Sequence, residues 1–240
     1  MRSVVVLLIL VLLLAACSVQ QSPIRAVQAV LPAAGVSEVD ITANVGKVTI
    51  TPSSDTNVHV SVTLKPSGSF LGFITPRNSA TAARGASFGH VLDNGILKLG
   101  MQYPADTDGG SAISEDWTVA VPATMQVNTQ LNVGKLHVTG ISGGVQARMN
   151  VGDIVLDVSG GPLQITANVG KIQATVHSLN YATVSLGASV GTTALSVDGV
   201  TVGDHQKTGA GDSLTYKMSG KDAISLQVTT GKASLALLTH

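Results

Sequence analysis

From Val39 to Leu64, and again from Trp117 onward, apolar and polar residues alternate with a period of two. Clear runs are Val58, Val60, Val62 and Leu64; Trp117, Val119 and Val121; Leu163, Ile165 and Ala167; and Ile154, Leu156 and Val158. Such alternation predicts strands with one buried face. A five-residue segment recurs within the pattern as Asn132-Val133-Gly134-Lys135-Leu136, Asn150-Val151-Gly152-Asp153-Ile154 and Asn168-Val169-Gly170-Lys171-Ile172, with an earlier copy at Asn44-Val45-Gly46-Lys47. The three later glycines are 18 residues apart, and weaker echoes follow at Gly191, Gly211 and Gly231. A fixed period near 20 is the signature of a stacked repeat. Each period holds one strand before its glycine and one after it, which leaves room only for tight turns such as Ser142-Gly143-Gly144 and Ser159-Gly160-Gly161-Pro162.

Equivalent strands of successive turns then run parallel. The expected fold is an all-β parallel β-solenoid, β-helix-like, of about six to seven coils with 18 to 21 residues per coil. Coils from Gly134 to Gly231 would stack to about 29 Å at about 4.8 Å each. The spacing also predicts two ladders. Asn132, Asn150 and Asn168 should bond to one another through their amides, and Lys135, Asp153 and Lys171 should lie side by side on the outer face.

The N-terminal end follows another pattern. Arg2 precedes an unbroken apolar run from Val4 to Leu14, and the 13 residues Val4 to Ala16 fall short of the roughly 20 that a membrane-spanning helix needs. Residues 1–16 therefore read as a signal peptide. Leu14-Ala15-Ala16-Cys17 resembles the lipobox of bacterial lipoproteins, which implies that Cys17 carries the lipid that joins the chain to a membrane. Cys17 is also the only cysteine, so no disulfide can form within the chain. Ser18, in place of Asp, resembles the pattern that sends lipoproteins of Gram-negative enterics to the outer membrane. Residues 17–35 read as a tether and 36–240 as the repeat domain. Residues 65–114 form an irregular insertion that carries all three phenylalanines, Phe70, Phe73 and Phe88, near Arg77 and Arg84. This insertion is either a cap on the end of the stack or a contact surface for a partner.

Composition narrows the function. Apolar residues are 44% and aromatics 3%, so the core must be aliphatic; Lys plus Arg and Asp plus Glu number 14 each, which leaves no basic field for nucleic acid. Asp116-Trp117-Thr118-Val119-Ala120-Val121-Pro122, followed by the glycine repeats, resembles the bacterial "putative adhesin" β-strand-repeat domain, also described as toastrack-like. The likeness covers roughly Val36 to His240. It implies a β-repeat fold at the cell envelope and carries no catalytic residues. Lysines at positions 47, 135, 171 and 232 replace the aspartate more usual in that family.

Residue patterns for chemistry are weak. Gly85-Ala86-Ser87-Phe88-Gly89 and Gly187-Ala188-Ser189-Val190-Gly191 match Gly-x-Ser-x-Gly, but no helical pattern follows either serine, as a nucleophile elbow requires. Asp153 and Asp157 lie about 13 Å apart along a strand, beyond the roughly 5 to 9.5 Å of paired glycosidase carboxylates. The six histidines show no close pair for zinc, and Asp106-Thr107-Asp108-Gly109-Gly110 opens like a calcium loop but lacks the glutamate at its twelfth position. No cofactor and no metal are expected. The expected function is a lipid-anchored, non-enzymatic envelope scaffold for binding an envelope protein or polysaccharide. The alternative is a polysaccharide-acting enzyme, a hydrolase or lyase, on a β-helix.

Overall fold

The computed structural model describes residues 23–67, 79–105 and 113–239. In chain order the elements are β1 (Arg25–Pro32), β2 (Glu38–Pro52), β3 (Asn57–Pro66), α1 (Ser79–Gly85), β4 (Ser87–Asp93), β5 (Ile96–Gln102) and β6 (Ile113–Val121). They continue as β7 (Gln126–Thr139), β8 (Val145–Val158), β9 (Leu163–Val176), β10 (Tyr181–Val197), β11 (Val200–Thr201), β12 (Asp204–Thr208), β13 (Gly211–Lys217) and β14 (Asp222–Leu237).

Six of these strands, β2, β7, β8, β9, β10 and β14, are 14 to 17 residues long and are each bent at a glycine. The bend follows from the sequence pattern. Leu131 and Leu136 are both buried although they are five residues apart, an odd spacing that would put them on opposite faces of a straight strand. Gly134 reverses the phase with φ 144°, and residues 132–135 turn outward. Gly152, Gly170, Gly231 and Gly191 repeat the conformation at φ between 138° and 145°. A Cβ on Gly152 would lie 1.8 Å from the carbonyl oxygen of Gly134, so both the dihedral and the close approach demand glycine.

In the first arm of each bent strand, Val127, Leu131, Val145 and Ile165 point inward; in the second, Leu136, Val138, Ile154 and Val176 do. The two sets meet in one aliphatic core, and each fully buried side chain contributes about 1.5–3 kcal/mol relative to exposure. Trp117 and Tyr181 are its largest buried members.

The sheet has 14 strands in the order β1-β3-β6-β2-β7-β8-β9-β14-β10-β13-β12, with β5 also on β2, β4 on β5 and β11 on β10. This corrects the expectation of a purely parallel solenoid: the sheet is mixed. The bent strands pair in parallel, whereas β1–β3, β3–β6, β4–β5, β10–β13 and β12–β13 are antiparallel. The coil expected at Gly211 is a second correction. Residues 204–208 are Asp-His-Gln-Lys-Thr and all exposed, so they have no apolar arm to bury. They and β13 instead fold as a hairpin on the edge of β10, and β14 inserts between β9 and β10.

The N-terminal boundaries also shift. Part of the expected tether is β1, in which Val27, Ala29 and Leu31 alternate in period two against β3. The expected insertion supplies α1 and the hairpin β4–β5, which extends the first arm beyond β2, while β6, β3 and β1 extend the second.

Candidate functional site

The outward corner at residues 132–135 and its equivalents forms three parallel ladders, because the bent strands pair in strict register. In the first, the Asn132 amide donates to Asn44 Oδ1 at 3.2 Å, Asn150 to Asn132 at 2.6 Å and Asn168 to Asn150 at 2.9 Å. The expected amide ladder forms, with one further member. Ser189 occupies the equivalent position on β10 and is exposed, so its Gly-x-Ser-x-Gly segment is one step of the repeat.

The second ladder, one residue on, runs Val45, Val133, Val151, Val169, Thr230 and Val190. Val133, Val151, Val169 and Val190 are 39%, 45%, 47% and 49% exposed. The third runs Lys47, Lys135, Asp153, Lys171, Lys232 and Thr192. The expected neighbours Lys135, Asp153 and Lys171 are side by side on the outside, although among the described residues no ion pair within 4.0 Å joins them. Beside the asparagines, Thr42, Gln130, Arg148 and Thr166, with Leu131 and Met149 beneath them, line a shallow groove of about 520 Å³.

Each end of the glycine column meets a carboxylate. At the N-terminal end Glu115 stands opposite Gly46 and is 2% exposed. The Tyr103 hydroxyl donates to its Oε1 at 2.7 Å and the Trp117 indole N–H to its Oε2 at 2.8 Å, while the Asn44 backbone N–H also donates. Burial raises the Glu115 pKa above the ordinary glutamate range, against the lowering by these donors. Burial likewise raises that of Tyr103, with the neighbouring Glu115 charge adding to it.

At the other end Asp212 is 6% exposed and accepts hydrogen bonds from the Thr193 backbone N–H at 2.9 Å and the Thr193 hydroxyl at 3.1 Å. His205 Nδ1 lies 3.0 Å from Asp212 Oδ1. The Thr193 backbone bond is the main cause that lowers the Asp212 pKa. Thr193, Asp212 and His205 resemble a nucleophile–acid–base set in composition only. The threonine hydroxyl approaches Nδ1, the nitrogen already facing the carboxylate, so the imidazole is not placed to activate it through Nε2.

The acids considered for hydrolysis are also engaged separately. Asp153 is flanked by Lys135 and Lys171, and Asp157 lies 2.7 Å from His177 Nε2. Among the described residues no group of three His, Cys, Asp or Glu side chains is placed to hold a metal ion. The expected lipidation site Cys17 and, of the residues expected to contact a partner, Phe70, Phe73 and Arg77 lie outside the described residues, as does the Asp106 turn. Arg84 is exposed at the end of α1, where its carbonyl accepts from Arg25 Nη1 at 2.6 Å. Phe88 is half-buried, with its ring 6.2 Å from that of Trp117 and 5.7 Å from that of His90.

No protein-family model matches the chain, and no curated protein does. Among solved structures, a "putative cell adhesion protein" from Clostridium sporogenes aligns over 91% of this chain and 100% of its own, with a TM-score of 0.57 and 13% identity. The chain shares the fold of that protein. A "putative adhesin" from Bacteroides fragilis aligns over 89% of this chain and 97% of its own, at 9% identity and a TM-score of 0.33. No helix among the described residues is long and apolar enough to cross a membrane.

Proposed function

We propose that this protein is a lipid-anchored, non-enzymatic component of a bacterial cell envelope, in which a short solenoid-like stack of bent strands is a rigid scaffold for binding or adhesion. The observation that carries this reading is how the polar groups are used. The asparagines bond to one another along the stack, and the two buried acids accept hydrogen bonds that close its ends. What faces outward is a repeated polar wall beside a valine row, a surface suited to contact. The adhesion name of the Clostridium protein supports the same reading through the shared fold. Leu14-Ala15-Ala16-Cys17 supplies the address, with the thioether-linked lipid on Cys17 as the membrane anchor and the outer membrane as destination if the cell is Gram-negative. Partner contacts are assigned to the segment that holds Phe70, Phe73, Arg77, Arg84 and Phe88.

The test has two parts. Mass spectrometry of the purified protein should show a mature chain that begins at an acylated Cys17, and Cys17→Ser should abolish the modification. Crosslinking in the cells of origin should then capture an envelope protein or a polysaccharide. An unacylated mature chain contradicts the anchor, and turnover of a purified envelope polysaccharide contradicts the non-enzymatic role.

A further inference from the structure

Five of the six positions in the outward row Val45, Val133, Val151, Val169, Thr230 and Val190 are valine, and four of those valines are 39% to 49% exposed. Strand spacing makes this row about 24 Å long. Exposed apolar residues scattered singly need no explanation, but a continuous row does. The neighbouring row adds Lys47, Lys135, Lys171 and Lys232 against the single acid Asp153. The chain as a whole is neutral, with 14 basic and 14 acidic residues, so positive charge is concentrated along this ridge. The ridge is also convex, because it is the outer side of the glycine corner, and a flat surface can meet its whole length.

The path of the chain points to the surface it meets. Arg25, at the start of β1, stands opposite Leu64, which stands opposite Glu115, which stands opposite Gly46. The chain thus enters the fold in the same transverse row as the glycine corner, three strand spacings or about 14 Å from Gly46. Cys17 precedes Arg25 by eight residues, a reach of at most about 27 Å. A lipid on Cys17 could therefore enter a bilayer anywhere from the near end of the ridge to about its middle.

We propose that the valine–lysine ridge rests on the anionic phospholipid surface into which the Cys17 lipid is inserted. The valines enter the interfacial layer and the lysines pair with lipid phosphates. This rests on the lipid-anchor reading and adds an orientation to it. One acyl-anchored tether leaves a domain free to tumble, whereas a second, weaker contact fixes which face is presented to a partner. Each lysine near an anionic surface is expected to change the docked-to-undocked ratio about fivefold.

The test uses the full acylated chain reconstituted into vesicles of phosphatidylethanolamine and phosphatidylglycerol, with a nitrobenzoxadiazole label on Val151→Cys or, as a control, on Leu92→Cys. Leu92 is 54% exposed and so equally apolar at the surface, but it pairs with Leu97 opposite Val39, about 23 Å along β2 from Gly46. The label at 151 should shift to the blue and be quenched by nitroxide-bearing lipid several-fold more than the label at 92. Lys171→Gln with Lys232→Gln should reduce that difference. Equal, water-like emission at both sites overturns the proposal. So does a 151–151 disulfide between two copies of the unlabelled Val151→Cys protein on the same vesicles, since a second chain would then cover the ridge. The mass of the same protein reports acylation separately, so loss of the anchor reading and loss of ridge contact are told apart.

Discussion

The two ends of the stack solve one problem with opposite electrostatics. A column of bent strands leaves unpaired backbone at its first and last corners, and a carboxylate stands at each. Glu115 is enclosed in the core and held by neutral donors, so burial works against its charge. Asp212 accepts from the Thr193 backbone and faces a half-exposed imidazole, so its charge is favoured. Burial opposes the charge at the first end, and the backbone donor at Thr193 favours it at the last.

The strongest way to break the comparison is to destroy the column that both ends close. Gly152→Ala places a methyl group 1.8 Å from the Gly134 carbonyl at a φ of 142°. It should cost more than about 4 kcal/mol, read as loss of the cooperative thermal transition by circular dichroism.

Next in size is Glu115→Ala, which strands the Trp117 and Tyr103 donors in the core and should cost about 3 kcal/mol by urea denaturation. Asp212→Ala, at the less enclosed end, should cost about 1–2 kcal/mol.

The pH dependence sharpens the contrast. Glu115 has a raised pKa in the folded state, so its protonated form favours folding. That contribution is present below the ordinary glutamate value of 4.5 and is lost as pH rises through the raised value. Asp212 has a lowered one, so its contribution is present above the ordinary aspartate value of 3.8 and is lost as pH falls through the lowered value. Unfolding free energies measured from pH 7 downward should show Glu115→Gln lacking a gain that the wild type makes on mild acidification. Asp212→Asn should lack a loss that appears at lower pH. The smallest effect is expected in the middle of the column, where Asn150→Ala removes two exposed amide bonds and should cost under about 1 kcal/mol.

Much of this was legible in the chain. The 18-residue spacing located the asparagine and lysine ladders because one bent strand with its connection makes one period. Glu115 went unnamed in the reading of the sequence, yet it carried a signal: Ile113, Glu115, Trp117, Val119 and Val121 share one parity, so the acid faces the core. Two hairpins carried their own signal in Asn94-Gly95, with φ 51° and 82°, and Asp198-Gly199, with φ 47° and 79°. The order β9-β14-β10 was not legible from spacing, because Gly211 and Gly231 are equally placed and only the burial of their arms separates them. The two halves of the Glu115 and Asp212 sites also come from segments joined by pairing across the sheet, which no local pattern encodes.

The order of the corner rows supports both the scaffold and the membrane-facing ridge, and it can be read directly by crosslinking. Val169 is paired with Thr230, and Thr230 with Val190, so Val169 and Val190 are two strands apart. Oxidation of a Val169→Cys/Thr230→Cys protein should give an intramolecular disulfide, mapped by peptide mass, while Val169→Cys/Val190→Cys should give none. Disulfide formation between 169 and 190 with none between 169 and 230 would contradict the stack and the ridge together.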